Sequence, residues 1–190
     1  MSLSPWGALP MDSPRSRFTI ALAFLLLLSV SPSHSAASIL EGGVVKIADG
    51  DTITVLDSDK VQHRVRIAGI DPPEKGQPFG NASRKQFGEL VARKEVRVEF
   101  QKHDRYGRIV GKVWVRPPDC PTCGKTLDVG LAQVTSGMAW WYRKYANEQS
   151  REDQRRYEFA EQEAKAKKMG LWQDKNPQPP WEFRAVQRGR

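Results

Sequence analysis

VQHRVRIAGIDPPE, residues 61–74, is the stretch on which the fold turns. Side chains on a strand alternate between its two faces. Val61, His63, Val65 and Ile67 therefore share one face, while Arg64, Arg66, Ala68 and Ile70 share the other. That alternation predicts a half-buried strand with Arg66 turned away from Val65 and Ile67. The apolar run ends on Asp71, and Pro72 and Pro73 then stiffen the step to Glu74. Two carboxylates are thus held beside a strand end by a chain that can barely bend.

Strands are predicted on both sides of this stretch. VVKIADGDTITVL, residues 44–56, reads as strand, turn, strand, with Asp49-Gly50-Asp51 as the punctuation. VRVEF, residues 96–100, and IVGKVWV, residues 109–115, alternate in the same way, and DRYGR turns the chain between them. FGNASRKQFGELVAR has the helical spacing of Phe87, Leu90 and Val91, with Asn81 as the expected N-cap. LDVGLAQVTSGMA predicts a short helix ending near Gly137. A longer charged helix is predicted from about Ser150 to Lys168, with Tyr157, Ala160, Ala164 and Leu171 as a thin apolar stripe. Gly170 is the expected stop, with Leu171 and Trp172 folding back on the core. The class is α+β with a mainly β core. Short, glycine-punctuated strands and a basic surface suit a small barrel of the oligonucleotide-binding kind.

The chain has 190 residues, with 30 Lys+Arg against 22 Asp+Glu and a net charge of +8. Such a balance favours a polyanionic partner, nucleic acid or an anionic membrane surface. Arg15 and Arg17 precede the apolar run 18–30, and the small-residue stretch SPSHSAAS follows it. At 13 residues the run falls short of the roughly 20 that span a bilayer. Residues 1–37 are therefore expected to be a signal peptide, with cleavage near Ser35 to Ala37 and Met11 as an alternative start. An uncleaved anchor at residues 18–30 is the competing reading. Removal takes away only Arg15, Arg17 and Asp12, so the basic excess belongs to the folded part. Secretion, or delivery to a periplasm, is the expected localisation. Residues 38–172 are expected to form one domain, and residues 173–190 a proline-rich basic tail.

Cys120 and Cys123 lie in PPDCPTCGK. A CxxC pair can be redox-active, half of a zinc site, or a small disulfide loop. A structural zinc needs four ligands, and the three histidines are His34, His63 and His103. Thioredoxin-like chemistry wants the pair at a helix N-terminus, whereas this one sits among prolines and glycine. In an oxidising compartment a local disulfide is the expectation.

Three clusters carry possible chemistry: Asp49-Gly50-Asp51-Thr52, Arg66 with Asp71-Pro72-Pro73-Glu74, and Asp104-Arg105-Tyr106-Gly107-Arg108. Hydrolysis of a phosphodiester gathers charge on phosphoryl oxygens and wants cations of fixed geometry. Arginine's planar fork suits two such oxygens. A hard metal ion, held by carboxylate and carbonyl oxygens, supplies further charge. A carboxylate can orient a water and take its proton. Each cluster alone reads as turn acids or solvated charge; together they supply every part.

DGDTITVL, RIAGIDPPE and DRYGR, in that order, closely resemble the staphylococcal nuclease (thermonuclease) family, over about residues 42–183. GLWQDKNPQPPWEFR resembles its exported bacterial members. The resemblance implies a five-stranded Greek-key barrel with about three packed helices. It implies calcium-dependent cleavage of DNA and RNA, single-stranded or flexible, leaving 3′-phosphate ends. A monomer without a stable protein partner is expected, and other divalent metals are possible cofactors. Carried over by motif, Asp51 and Asp71 match metal-binding carboxylates, and Pro72 matches a threonine that ligates through its backbone carbonyl. Glu74 matches the carboxylate that orients water, Arg66 and Arg108 match the arginines on the scissile phosphate, and Asp49 matches an acid behind the metal. Arg105 and Tyr106 match a lysine and a tyrosine at the nucleotide end. Tyr142, in MAWWYRKY, is a candidate base-stacking residue, while Trp140 and Trp141 read equally as core. Pro72 departs from the family pattern: proline keeps the carbonyl but lacks the hydroxyl and the N–H. The competing reading is a non-catalytic nucleic-acid-binding barrel of the same fold, which would have no need to keep Glu74 with both arginines.

Overall fold

The computed structural model describes residues 37–189. The expectations about a signal peptide, its cleavage and its start fall on residues outside or at the edge of that range.

Strand β1 (Ser38–Ile47) turns through Asp49–Asp51 into β2 (Thr52–Leu56), and β3 (Gln62–Ile67) pairs antiparallel to β2. In β3 only Val65 and Ile67 are buried, so Arg66 does face away from the core. A two-residue strand, β4 (Ile70–Asp71), follows the left-handed Gly69. Helix α1 (Gly80–Val91) leads to β5 (Glu95–His103), which pairs with β1, and to β6 (Ile109–Val115), which pairs with β5. Parallel pairing of β3 with β6, Arg66 opposite Val110, closes five strands into a barrel. The order is β3-β2-β1-β5-β6 and back to β3.

Strand β7 (Leu127–Asp128) runs directly into α2 (Val129–Thr135), which Asp128 caps by accepting from the Leu131 N–H at 3.1 Å. A second two-residue strand, β8 (Trp140–Trp141), pairs with β4. Helix α3 (Arg151–Ala166) is capped by Ser150 and buries Tyr157, Ala160 and Ala164, three of the four residues of the expected stripe; the fourth, Leu171, is buried in a turn beyond the helix end. The helix also buries Glu161 completely, which the apolar pattern did not foresee. Alternating valines and isoleucines fill the barrel, and Phe87 of α1, Val134 of α2 and Tyr157 of α3 close over them. Trp141 joins that core, while Trp140 packs with Ala164, Leu171 and Trp172 in a second cluster. Cys120 and Cys123 are joined in a disulfide within an exposed loop. No helix of the described residues is long and apolar enough to cross a membrane.

Two expectations need correction. Asn81 is not the N-cap of α1: Phe79 holds that place in left-handed conformation, and Asn81 lies in the first helical turn. The helix starts early because its first residue packs on the backbone of Glu74. A Cβ on Gly80 would come 2.1 Å from the Glu74 carbonyl oxygen. The C-terminal region, expected as a tail, contains a further helix, α4 (Pro180–Arg188). Proline at the first helical position, Glu182 in the first turn, Arg188 in the last and Gly189 at the end favour a helix here, although no side chain caps its start.

Candidate active site

The barrel brings four strand ends together. Asp51 immediately precedes β2, and Thr52 lies directly opposite Arg66 in the β2–β3 ladder. Asp51 is locked there by its carbonyl, which accepts from the Ile67 N–H at 2.8 Å. Arg108 immediately precedes β6, whose parallel pairing with β3 sets it beside the same edge. Asp71 lies on β4, held opposite Trp140 of β8.

The side chains form a continuous alternation of charge. Arg108 Nη1 contacts Thr52 Oγ1 at 3.5 Å, and Thr52 donates to Asp51 Oδ1 at 2.8 Å. Arg66 Nη2 lies 3.0 Å from Asp51 Oδ2 and 3.4 Å from Asp71 Oδ1. Two buried carboxylates therefore converge on one guanidinium nitrogen. Beyond them, Arg184 of α4 spans Asp71 and Glu74: its Nη1 and Nη2 reach the two Asp71 oxygens at 3.1 and 2.7 Å, and Nη1 reaches Glu74 Oε1 at 2.6 Å. Arg184 was not among the residues read from the sequence. Its partners lie 113 and 110 residues away, a distance no local pattern spans.

Burial dominates the electrostatics. It pushes the Asp51 carboxyl up to about 7, because Arg66 offsets only part of the desolvation and Asp49 adds repulsion. Asp71 is raised by the same cause, against the pull of Arg184 and Arg66. Burial works against the charge of Arg66 too, but Asp51 and Asp71 outweigh it and raise its pKa. Asp104 is also disfavoured by burial, yet hydrogen bonds from Arg108 and Tyr106 hold its carboxyl below the usual value. It grips Arg108 through Nε at 2.8 Å and Nη2 at 2.7 Å.

Supporting residues fix this frame. Asp49 accepts from the Asp51 N–H at 3.1 Å, which gives it a turn-holding part. Gln77 accepts from the Glu74 N–H at 3.0 Å, and its own N–H returns to the Glu74 carbonyl at 3.0 Å. The buried Gln133 donates to the Gly50 carbonyl at 3.2 Å and to the Ser83 carbonyl at 3.3 Å. A Cβ on Gly50 would meet Ser83 Oγ at 2.6 Å and Pro72 Cβ at 2.9 Å, so the DGD turn packs directly on the DPPE segment. Glu161 accepts from the Trp141 N–H at 3.0 Å and pairs with Arg143 and Lys165, each at 2.8 Å. It thereby steadies β8, on which Asp71 rests. Gln77, Gln133 and Glu161 carried no sequence signal beyond being polar.

At the barrel's rim Tyr106 is 64% exposed, with the Arg105 guanidinium 4.8 Å from its ring centre and Arg108 at 5.6 Å. Tyr142 hangs on the Gly69 carbonyl through its N–H at 2.9 Å, and its ring stacks on Trp181 of α4.

A family model described as staphylococcal nuclease homologue matches residues 64–174, more than half of the chain. The chain belongs to the staphylococcal nuclease family. A micrococcal nuclease of Shigella flexneri is 41% identical over 167 residues, covering 87% of this chain and 90% of that protein. A protein ParB of Escherichia coli is 40% identical over 170 residues, 90% of this chain and 92% of its own. An uncharacterized endonuclease of Escherichia coli is 39% identical over 145 residues, 76% of this chain and 85% of its own. The protein is a nuclease, a hydrolase of phosphodiester bonds with an oligonucleotide-binding type of barrel, and nucleic acids are its substrates.

Members of this nuclease family are generally metal-dependent, and the donors present suit a hard cation. Among the described residues no group of three or more His, Cys, Asp and Glu is gathered to hold a metal by itself. The acids are instead interleaved with Arg66 and Arg184. Asp51 and Asp71 nonetheless converge, and the raised pKa of Asp51 marks a buried carboxylate whose charge is only partly balanced. Oxygen donors short of positive charge are what a hard divalent ion stabilises.

Proposed function

We propose that this nuclease is an exported, calcium-dependent enzyme that cleaves single-stranded or flexible DNA and RNA and leaves 3′-phosphate ends. The observation that carries the reading is the unbroken sequence of contacts Arg108–Thr52–Asp51–Arg66–Asp71, with Glu74 beside it. Asp51, Asp71 and the Pro72 carbonyl are the residues that would hold the cation. When bound, that ion offsets the negative charge that builds on the phosphoryl oxygens.

The protein's own groups do the rest. Arg66 and Arg108 flank the carboxylates from two sides and engage the non-bridging oxygens of the scissile phosphate. Both are held by acids before substrate arrives, so little reorganisation remains. Glu74 orients a water and takes its proton as the water oxygen bonds to phosphorus and the P–O5′ bond breaks, the departing 5′ oxygen taking up a proton from solvent to leave as a hydroxyl. Gln77 fixes the Glu74 backbone from both sides, which narrows the directions the base can take. Arg105, Tyr106 and Tyr142 hold phosphate and bases without reading sequence. These contacts use phosphate charge and base faces, which DNA and RNA share.

Glu74→Gln and Arg108→Ala should each lower turnover by about 10²–10³-fold, the cost of removing one preorganised group. End-labelled oligonucleotides report both turnover and the phosphate left on each end. Unchanged turnover in both variants, or products carrying 5′-phosphates, would contradict the assignment.

A further inference from the structure

Helix α4 and the turn leading into it make three separate contacts with the active site, two from the helix and one from Gln178 before it. Arg184 takes both oxygens of Asp71 and one of Glu74. Trp181 stacks on Tyr142, ring centres 5.5 Å apart and planes 19° from parallel. Just before the helix, the Gln178 carbonyl accepts from the Gln77 side chain that fixes Glu74. We propose that residues 177–188 are a tethered gate: in this closed form Arg184 competes with the cation for Asp71 and with the water for Glu74, and Trp181 covers the face of Tyr142 where a base would stack. The gate rests on the roles given above to Asp71, Glu74 and Tyr142.

Charge and geometry make the gate and the working site mutually exclusive. Arg184 is raised in pKa chiefly by its hydrogen bonds to Asp71, with Glu74 adding to them, so it stays charged throughout the working range. Arg66 touches only Oδ1 of Asp71 and leaves Oδ2 open to a cation, whereas Arg184 takes both oxygens, so a divalent ion brought against Asp71 meets the Arg184 charge directly. A base cannot stack on a ring face that Trp181 already occupies.

The helix is also lightly held. Within α4 only Pro180 is buried, and every residue from Ala185 to Gly189 is exposed. An open groove of about 520 Å³ lies between Gln187 and Arg188 of α4 and Lys75 and Gly76, beside the Arg184–Glu74 contact. Few buried apolar groups mean a low free energy of local opening. Pro177, Pro179 and Pro180 stiffen the approach to the helix, so the segment is held together as one stiff unit. Once displaced, Arg184 and Arg188 remain tethered near the phosphates of a bound strand.

The test uses the full chain, native and as Arg184→Gln, titrated with calcium alone in a calorimeter. Removing the competing cation should tighten calcium binding, on the order of 5- to 150-fold for a coupling of ordinary size. In the native chain, saturating calcium should speed amide hydrogen exchange across residues 181–188. Trp181→Ala, which leaves every charge in place, should shift both readouts in the same direction by loosening the helix. Calcium affinity that is unchanged or weaker in Arg184→Gln overturns the gate, as does exchange in residues 181–188 that calcium leaves unaltered. Cleavage assays on the same samples separate the two readings. Intact cleavage with unaltered calcium affinity defeats the gate alone. Tighter calcium binding without cleavage by any sample supports the gate and defeats the proposed reaction.

Discussion

At the residue scale Asp51 shows what burial does to a carboxyl group. Its carboxyl stands at about 7 in the fold against an ordinary 3.8. Between those values the folded chain holds a proton that the unfolded chain has released. In chelator, the contribution of Asp51 to stability should therefore be fully present below about pH 4, fall as pH rises towards about 7, and level off beyond it, while Asp104, held below its usual value, works the opposite way at the acid end. The drop should be on the order of 2–4 kcal/mol if Asp51 acts alone, with Asp71 contributing in the same direction. Denaturant melts across that range check it. Asp51→Asn should flatten the slope, and an unchanged slope in that variant would show that the titrating group lies elsewhere. Gln133 offers a second test at this scale. Its side-chain amide bridges the Gly50 carbonyl and Ser83 of α1, and among the described residues its Oε1 has no partner. Gln133→Leu should destabilise by about 1–3 kcal/mol, because the carbonyls of Gly50 and Ser83 lose their buried donor.

Elements differ in how much of themselves the sequence discloses. IVGKVWV was legible to the residue, 109–115, because alternation and β-branching agree along its whole length. The start of α1 was not, because a tertiary contact set it: Gly80 must pass within reach of the Glu74 carbonyl, and that outweighs Asn81 as a cap. Gly80→Ala should consequently push on Glu74 itself. It is expected to lower turnover and to shift the midpoint of unfolding downward, although alanine favours helix elsewhere. A variant more stable than the native chain, with full activity, would show that the Glu74 turn relaxes freely. Helix α4 was hidden for another reason. Its proline-rich approach and charge suggested a solvated tail, while Pro180, Glu182, Arg188 and Gly189 carried the helix signals unnoticed. Asp51, Arg66, Asp71, Glu74 and Arg108 stand out in the sequence because local motifs carry them, and the fold brings their side chains together. Arg184 was not, since its part depends on meeting residues more than a hundred positions away.

On the scale of the whole molecule, charge and fold point to the same substrate. The chain carries a net charge of +8, and the barrel rim beside the buried Asp51 and Asp71 carries Arg105, Arg108 and Tyr106. Binding of single strands should weaken linearly with the logarithm of salt concentration, with a slope near −0.7 for each phosphate neutralised. Affinity indifferent to salt would mean that the basic surface takes no part. The central claim, that Asp51, Asp71 and Glu74 form a metal-dependent hydrolytic site, is tested most directly by one measurement. Purified protein is given single-stranded DNA with calcium, and again with a chelator in excess. Rapid cleavage with calcium, abolished by the chelator and restored by adding calcium back, is the predicted result. Cleavage at the same rate under chelator would contradict it.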